Sequence, residues 1–286
     1  MNQLIKKAYG KINLGLDVIG RRDDGYHIVK MIMQTVELHD VVTMEKTSDG
    51  VISMTTDDVN LPVDQDNLCI QAAELLKKEF GFSEGLKIHL EKNIPVAAGM
   101  AGGSTDAAAV LKGVNELFDL GLSEEELMKR GLLLGADIPY CIMGGTALSE
   151  GIGEVLTKVA PMEKTLLLIA KPPVNVSTGK VYGALDALES YEHPDIDGLI
   201  EAIEKKDIRE ICSTMGNVLA DVTMPMVPEI EDLKNQMISD GAVGAMMTGS
   251  GPTVFGIFDD KDAFENCYQH IKEKNITERL YKTSIR

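Results

Sequence analysis

Between a strand-like stretch and a helix-like one, the chain passes through Pro95-Val96-Ala97-Ala98-Gly99-Met100-Ala101-Gly102-Gly103-Ser104-Thr105-Asp106. Apolar alternation at 86–91 precedes this segment and the helical stretch Ala107–Phe118 follows it, so the strand must turn into the helix through residues of very little bulk. Glycine reaches positive φ at almost no steric cost, which lets successive N–H groups turn to one side. The free donors and dipole of a helix starting at Ser104 and Thr105 favour an anion. The segment therefore reads as a phosphate cradle, or more plainly as a tight turn capped by Ser104. It is neither of the common nucleotide loops. Gly15 to Gly20 approaches Walker A spacing but continues as Arg21-Arg22, and no G-x-G-x-x-G occurs. P-loop and Rossmann architectures are thereby excluded.

Such a trap matters because the chain is acidic overall. Its 286 residues carry 45 Asp and Glu against 28 Lys and Arg, a net charge of −17 that repels nucleic acid globally, and no basic stripe offsets it. No nucleic-acid partner is expected. The 44% hydrophobic and 26% charged content is that of a soluble globular protein. No apolar run approaches a membrane span, and the N-terminus MNQLIKKAYGKINLGLDV lacks a signal-peptide pattern, so the expectation is no membrane partner and a cytoplasmic location. Cys69, Cys141, Cys212 and Cys267 are scattered and read as reduced core residues, and the five histidines show no zinc-ligand spacing.

Periodicity predicts strands at 3–19, 28–37, 40–55 and 86–91, and helices at 67–80, ended by Gly81, and at 122–135, with a capping box between Ser123 and Glu126. The apolar strand in TLLLIAKPPVNV, stopped by Pro172-Pro173, opens a second region. It continues with helical stretches near 178–190, 195–219 and 226–240, strands at 242–248 and 253–258, a helix at 260–273 and a strand at 278–284. The class is α+β, with domains expected at 1–160 and 161–286.

The glycine segment resembles the ATP motif of the GHMP kinases, P-x-x-x-G-L-[GA]-G-S/G-S-[ST]-D/A, with Met100 in place of the usual Leu, a flexible substitute of similar volume. Lys11-Ile12-Asn13-Leu14 resembles that family's opening strand motif. Thr248-Gly249-Ser250-Gly251-Pro252-Thr253 resembles its closing glycine motif, though on its own it reads as a hairpin turn. Arg21 to His27 (RRDDGYH), Asp66-Asn67-Leu68 and Gly135-Ala136-Asp137-Ile138-Pro139 resemble the branch of the family that acts on a cytidine diphosphate derivative.

The resemblance implies a two-domain fold, with a ribosomal-protein-like N-terminal α+β domain that binds ATP and a ferredoxin-like C-terminal α+β domain. It also implies ATP-dependent phosphorylation of a hydroxyl on that small-molecule substrate, in the non-mevalonate route to isoprenoid precursors. Magnesium is expected with ATP, its ligands undetermined; the oligomeric state is open. Carried over residue by residue, Asp137 is the catalytic base and Lys11 its polarising partner. Pro95, Val96, Ala97, Ala98, Gly99, Met100, Ala101, Gly102, Gly103, Ser104 and Thr105 cradle the nucleotide phosphates, with Asn67 near adenosine. His27 reads cytosine, Tyr26 stacks or lines the pocket, Tyr182 covers the other face, and Asn13 contacts the erythritol end. Without the motifs, Asp137 reads as an Asx turn, Lys11 as a solvated strand residue, Tyr26 as a half-buried strand aromatic, His27 as a turn histidine and Asn67 as an N-cap. Asp106 is a rival carboxylate, placed better to support the cradle. A homoserine- or mevalonate-type kinase of the same family and a non-catalytic binding protein of the same fold are the competing readings.

Overall fold

The computed structural model describes residues 2–286. The chain forms two compact units that interleave along the sequence. The first takes the chain up to Gly10, Leu38–Val96 and Ala101–Gly144; the second takes Lys11–Glu37, Ala97–Met100 and Gly145–Arg286. Two long strands, β1 (Gln3–Arg21) and β2 (His27–Thr47), pass through both.

The first unit adds β3 (Ile52–Thr56), α1 (Leu68–Phe80), β4 (Gly85–Glu91), α2 (Gly102–Leu117), α3 (Glu124–Leu132) and α4 (Ile138–Met143). β4 pairs antiparallel with β2, from Val41↔Glu91 to Thr47↔Gly85, and parallel with β3. Against this sheet lie α1 and α2, whose Cys69, Ala72, Ala73 and Leu76, and Ala107, Ala108, Leu111 and Val114, form one buried cluster with Met44, Leu86 and Ile88. Alanine rows let the two helices approach closely, so α2 is fixed in a dense core.

α1 begins and ends as its periodicity predicts, with Gly81 left-handed at φ 67 after it. α3 has the expected reciprocal capping box. Several boundaries differ: residues 28–37 and 40–47 run together as β2, and α3 ends at Leu132 rather than at 135. The predicted strand 40–55 stops at Thr47 and resumes as β3, since the chain turns at Gly50 (φ 73). α2 starts at Gly102, five residues before the predicted Ala107, with left-handed Ala101 (φ 56) at its N-cap and no side-chain cap. Ser104 thus lies inside the first turn and does not cap it.

The second unit contains β5 (Thr146–Gly151), β6 (Val155–Lys158), β7 (Leu166–Lys171), α5 (Thr178–Leu185), α6 (Ile196–Lys205), α7 (Ile208–Thr214), β8 (Gly216–Asn217), α8 (Ala220–Met226), α9 (Glu229–Ser239), β9 (Gly244–Met247), β10 (Val254–Phe258), α10 (Lys261–Lys274) and β11 (Arg279–Ser284). An antiparallel sheet runs β11-β7-β10-β9, with Leu167 to Ala170 of β7 fully buried. β5 pairs with β2 from Val29↔Gly151 to Gln34↔Thr146, and β8 runs parallel to β1 at Gly15↔Gly216. The predicted helical stretch 195–219 is broken where Lys206 turns left-handed (φ 57) and Asp207 caps α7 through the N–H groups of Arg209 and Glu210. Gly15 is required by packing: a Cβ there would stand 2.7 Å from Ile196 Cδ1 and 2.8 Å from Leu199 Cδ2 of α6. All four cysteines are free thiols, and Cys69 and Cys267 are buried. Among the described residues no helix is long and apolar enough to cross a membrane.

Candidate active site

In the glycine loop, left-handed residues alternate with others: Ala97 (φ 51), Gly99 (φ 70) and Ala101 (φ 56). A left-handed alanine costs about 1–2 kcal/mol, so two of them in one loop mark a backbone held in place by its surroundings. Met100 and Ala98 point inward and pin the loop, Met100 filling the position where the motif has Leu; Val96, Ala97 and Gly103 are exposed. Gly102, Gly103 and Ser104 form the first turn of α2, where backbone N–H groups have no intrahelical acceptor. The Thr105 hydroxyl is committed elsewhere, donating to Tyr9 O at 2.6 Å.

Within the second unit, the opening and closing motifs meet Gly99. Lys11 Nζ donates to Asn13 Oδ1 at 2.8 Å and to Gly99 O at 3.0 Å. Asn13 N donates to Thr248 Oγ1 at 3.0 Å, and Lys11 N donates to Met100 O at 3.2 Å. Lys11 is 5% exposed, so it is no solvated strand residue, and two of its three ammonium N–H donors are taken by neutral acceptors. Gly249 (φ 58) approaches the loop so closely that a Cβ on it would lie 2.9 Å from Gly99 O; one on Gly99 would run into the Thr248 carbonyl. Buried Asn217 donates to Met247 O and Gly249 O, at 3.0 and 2.9 Å, and fixes the closing turn from behind. Thr248 and Asn217 were not among the expected site residues. The TGSGPT motif signals the first; nothing local signals the second.

At the start of β2, His27 Nε2 lies 2.7 Å from Asp186 Oδ1, and Arg21 pairs with the other oxygen of the same carboxylate at 3.0 Å. The Tyr182 ring on α5 sits against the His27 ring, with centroids 4.6 Å apart and planes inclined by 34°. The two rings are therefore in direct contact, His27 braced by Tyr182 on one side and Asp186 on the other. Tyr26 is 60% exposed, in a loop closed by Arg22 N donating to Tyr26 O. Asp186 and Arg21 are further members of this group; RRDDGYH contained the latter.

In the first unit Asp137 occupies the N-cap position of α4, half-buried, with αR backbone (φ −78, ψ −18) and no capping hydrogen bond from its side chain, so it makes no Asx cap. Pro139 in the first turn stiffens the helix start behind it. Asn67 is the N-cap of α1: its Oδ1 accepts from Cys69 N at 2.9 Å and its Nδ2 donates to Pro62 O at 2.8 Å.

An anion fits this chemistry, since the loop offers left-handed turns at Ala97, Gly99 and Ala101 and leads into the free N–H groups at the start of α2. Among the described residues no group of three or more His, Cys, Asp or Glu could hold a metal.

Comparison with known proteins bears on the same segments. Residues 67–145 match the model of the GHMP kinases N terminal domain, and residues 199–277 match GHMP kinases C terminal. The chain is 52% identical over 283 residues to the 4-diphosphocytidyl-2-C-methyl-D-erythritol kinase of Lachnospira eligens, covering 99% of this chain and 98% of that one. It is 49% identical over 277 residues to the enzyme of that name from Clostridium botulinum, covering 97% and 99%. A crystal structure of 4-(cytidine 5'-diphospho)-2C-methyl-D-erythritol kinase superimposes with a TM-score of 0.83 at 28% identity, covering 99% of both chains. Homoserine kinase from Cytophaga hutchinsonii superimposes with 0.80 at only 19% identity, so that likeness speaks for the fold alone. The chain belongs to the GHMP kinases, in the family of the 4-diphosphocytidyl-2-C-methyl-D-erythritol kinases.

Proposed function

We propose that this chain transfers the γ-phosphoryl group of ATP to the 2-hydroxyl of 4-diphosphocytidyl-2-C-methyl-D-erythritol, with Asp137 as the base and Lys11 as its cationic partner. The observation that carries the reading is the buried Lys11 ammonium tied directly to the glycine loop at Gly99 O. A cation fixed to the phosphate cradle needs no reorganisation when charge develops on the transferring group.

In this reading the N–H groups of the loop, Pro95 to Thr105, hold the phosphates, and the remaining N–H of Lys11 serves the reacting centre. Asp137, free of a capping bond, takes the proton from the acceptor hydroxyl as its oxygen bonds to the γ-phosphorus. The bond from that phosphorus to the bridging oxygen breaks, and ADP leaves with the electron pair. Magnesium, when present, neutralises phosphate charge; no protein donor to it is assigned. Asn13 has the Lys11 side of the acceptor, while His27, Tyr26 and Tyr182 take the cytosine, with Asp186 holding the His27 ring. Asn67 contributes to the adenosine surround with whatever hydrogen-bonding capacity its capping leaves. The domain division 1–160 and 161–286 belongs to the same proposal, its boundary falling between the two matched segments. So does action in the cytoplasm on small molecules.

Asp137→Asn tests the roles. ATP binding, by calorimetry, should be retained while kcat falls about a hundredfold or more, because only the base is lost. Preserved turnover in the folded variant removes Asp137 from the mechanism.

A further inference from the structure

We propose that Asp40, far from the glycine loop in sequence, is a positioning residue for nucleotide binding: it ties the chain entering the loop to the helix leaving it. Asp40 is fully buried on β2. Its Oδ1 accepts from Asn93 N at 2.5 Å and from Ile94 N at 2.7 Å, the last two residues before Pro95. Its Oδ2 accepts from Lys92 Nζ, and that ammonium also donates to Asp106 Oδ2 at 2.9 Å, in the second turn of α2. The Lys92 side chain is only 5% exposed. Its ammonium passes over the first residue of α2, where a Cβ on Gly102 would lie 2.9 Å from Nζ. Asn93 Nδ2 adds a bond to His39 O at 3.0 Å.

These bonds bracket the loop. Residues 93 and 94 lie outside any strand or helix, so Asp40 supplies acceptors to N–H groups that no ladder provides for. Lys92 carries the tie across to α2, whose first-turn N–H groups are the proposed phosphate donors. Asp106 is the lesser partner. Its Oδ1 is buried without a partner, and burial, with Asp40 beside it, pushes its carboxyl well above the ordinary range. Asp40 holds both the entering backbone and Lys92, whereas Asp106 accepts from Lys92 alone.

The proposal rests on the glycine loop being the nucleotide site, and its test reads nucleotide binding directly, so it does not depend on which acceptor is phosphorylated. ADP and 4-diphosphocytidyl-2-C-methyl-D-erythritol are titrated separately by calorimetry into the full-length wild type, Asp40→Asn and Asp106→Asn. The ADP Kd should rise about tenfold or more in Asp40→Asn, within the range that displacing binding groups by up to 1 Å can cost, while acceptor Kd stays put. Asp106→Asn should raise the ADP Kd distinctly less. If Asp40→Asn does not fold, the charge-balanced double variant Asp40→Asn, Lys92→Met removes the same tie without stranding an ammonium, and the same split is expected. An ADP Kd at the wild-type value in either folded variant, or equal weakening of both ligands, overturns the proposal. Wild type that binds ADP yet phosphorylates none of the offered acceptors refutes the substrate reading and leaves this one standing.

Discussion

Replacing Gly249 with alanine probes the contact between the closing motif and the glycine loop. The residue is left-handed (φ 58), where alanine costs about 1–2 kcal/mol. The new Cβ would lie 2.9 Å from Gly99 O and 3.0 Å from Gly99 Cα. Those atoms are backbone and cannot swing aside, so the loop itself must give, at the about 1–3 kcal/mol typical of overpacking. Together that is about 2–5 kcal/mol. The group displaced is the carbonyl that accepts from Lys11 Nζ at 3.0 Å, so the cost falls on the cation as well as on the loop. At about 1.4 kcal/mol per decade, the lower figure expressed in the transition state is about a 30-fold loss of kcat/KM. ADP release is followed by a coupled assay, with Tm as a control; a folded protein of this size loses about 2–4 °C per kcal/mol. A folded Gly249→Ala variant within about threefold of wild-type kcat/KM would refute the reasoning, because the close approach would then play no part in the chemistry.

Three other expectations follow. His27→Ala should weaken the acceptor by about 1–3 kcal/mol, with the KM for ATP unchanged, because a polar edge loses its partner; equal acceptor affinity in the variant removes His27 from the pocket. Asp106 titrates above its ordinary value of 3.8 in the folded chain, so the native state binds more protons than the unfolded one once pH exceeds that value, and stability falls as pH rises towards the folded pKa. Asp106→Asn lacks that loss: its Tm relative to wild type should climb as pH rises above about 4, and a flat difference contradicts a raised pKa. Leu76→Ala, at a fully buried site between α1 and the sheet, should cost about 2–5 kcal/mol of stability by denaturant titration while leaving the KM values nearly intact; a selective rise in one KM would show that the core is not independent of the site.

What could be read from the sequence was what is local. The capping box at Ser123 and Glu126 and the end of α1 at Gly81 are each specified by neighbouring residues, and each stands where expected. The start of α2 lies earlier than the sequence suggests because glycines look like loop; Gly102 already belongs to the helix, with Lys92 and Ile94 beside it. α4, at six residues, and the short strands β5 and β6 are too brief for periodicity and are set by pairing with β2 or by the core. The partnerships of the site are non-local. Lys11 meets Gly99 across 88 residues, His27 meets Asp186 across 159, and Asp40 meets Lys92 across 52, distances at which no spacing rule operates. Asn67 is legible in both ways: the residue that carries a nucleotide role by motif also caps α1.

The acceptor is the centre of the account. Magnesium-dependent ADP release should be measured on one preparation with 4-diphosphocytidyl-2-C-methyl-D-erythritol, mevalonate and homoserine in turn. Turnover with the cytidylyl compound alone is the predicted result. Turnover with mevalonate or homoserine instead, or none with any of the three from folded protein that binds ATP, would contradict it.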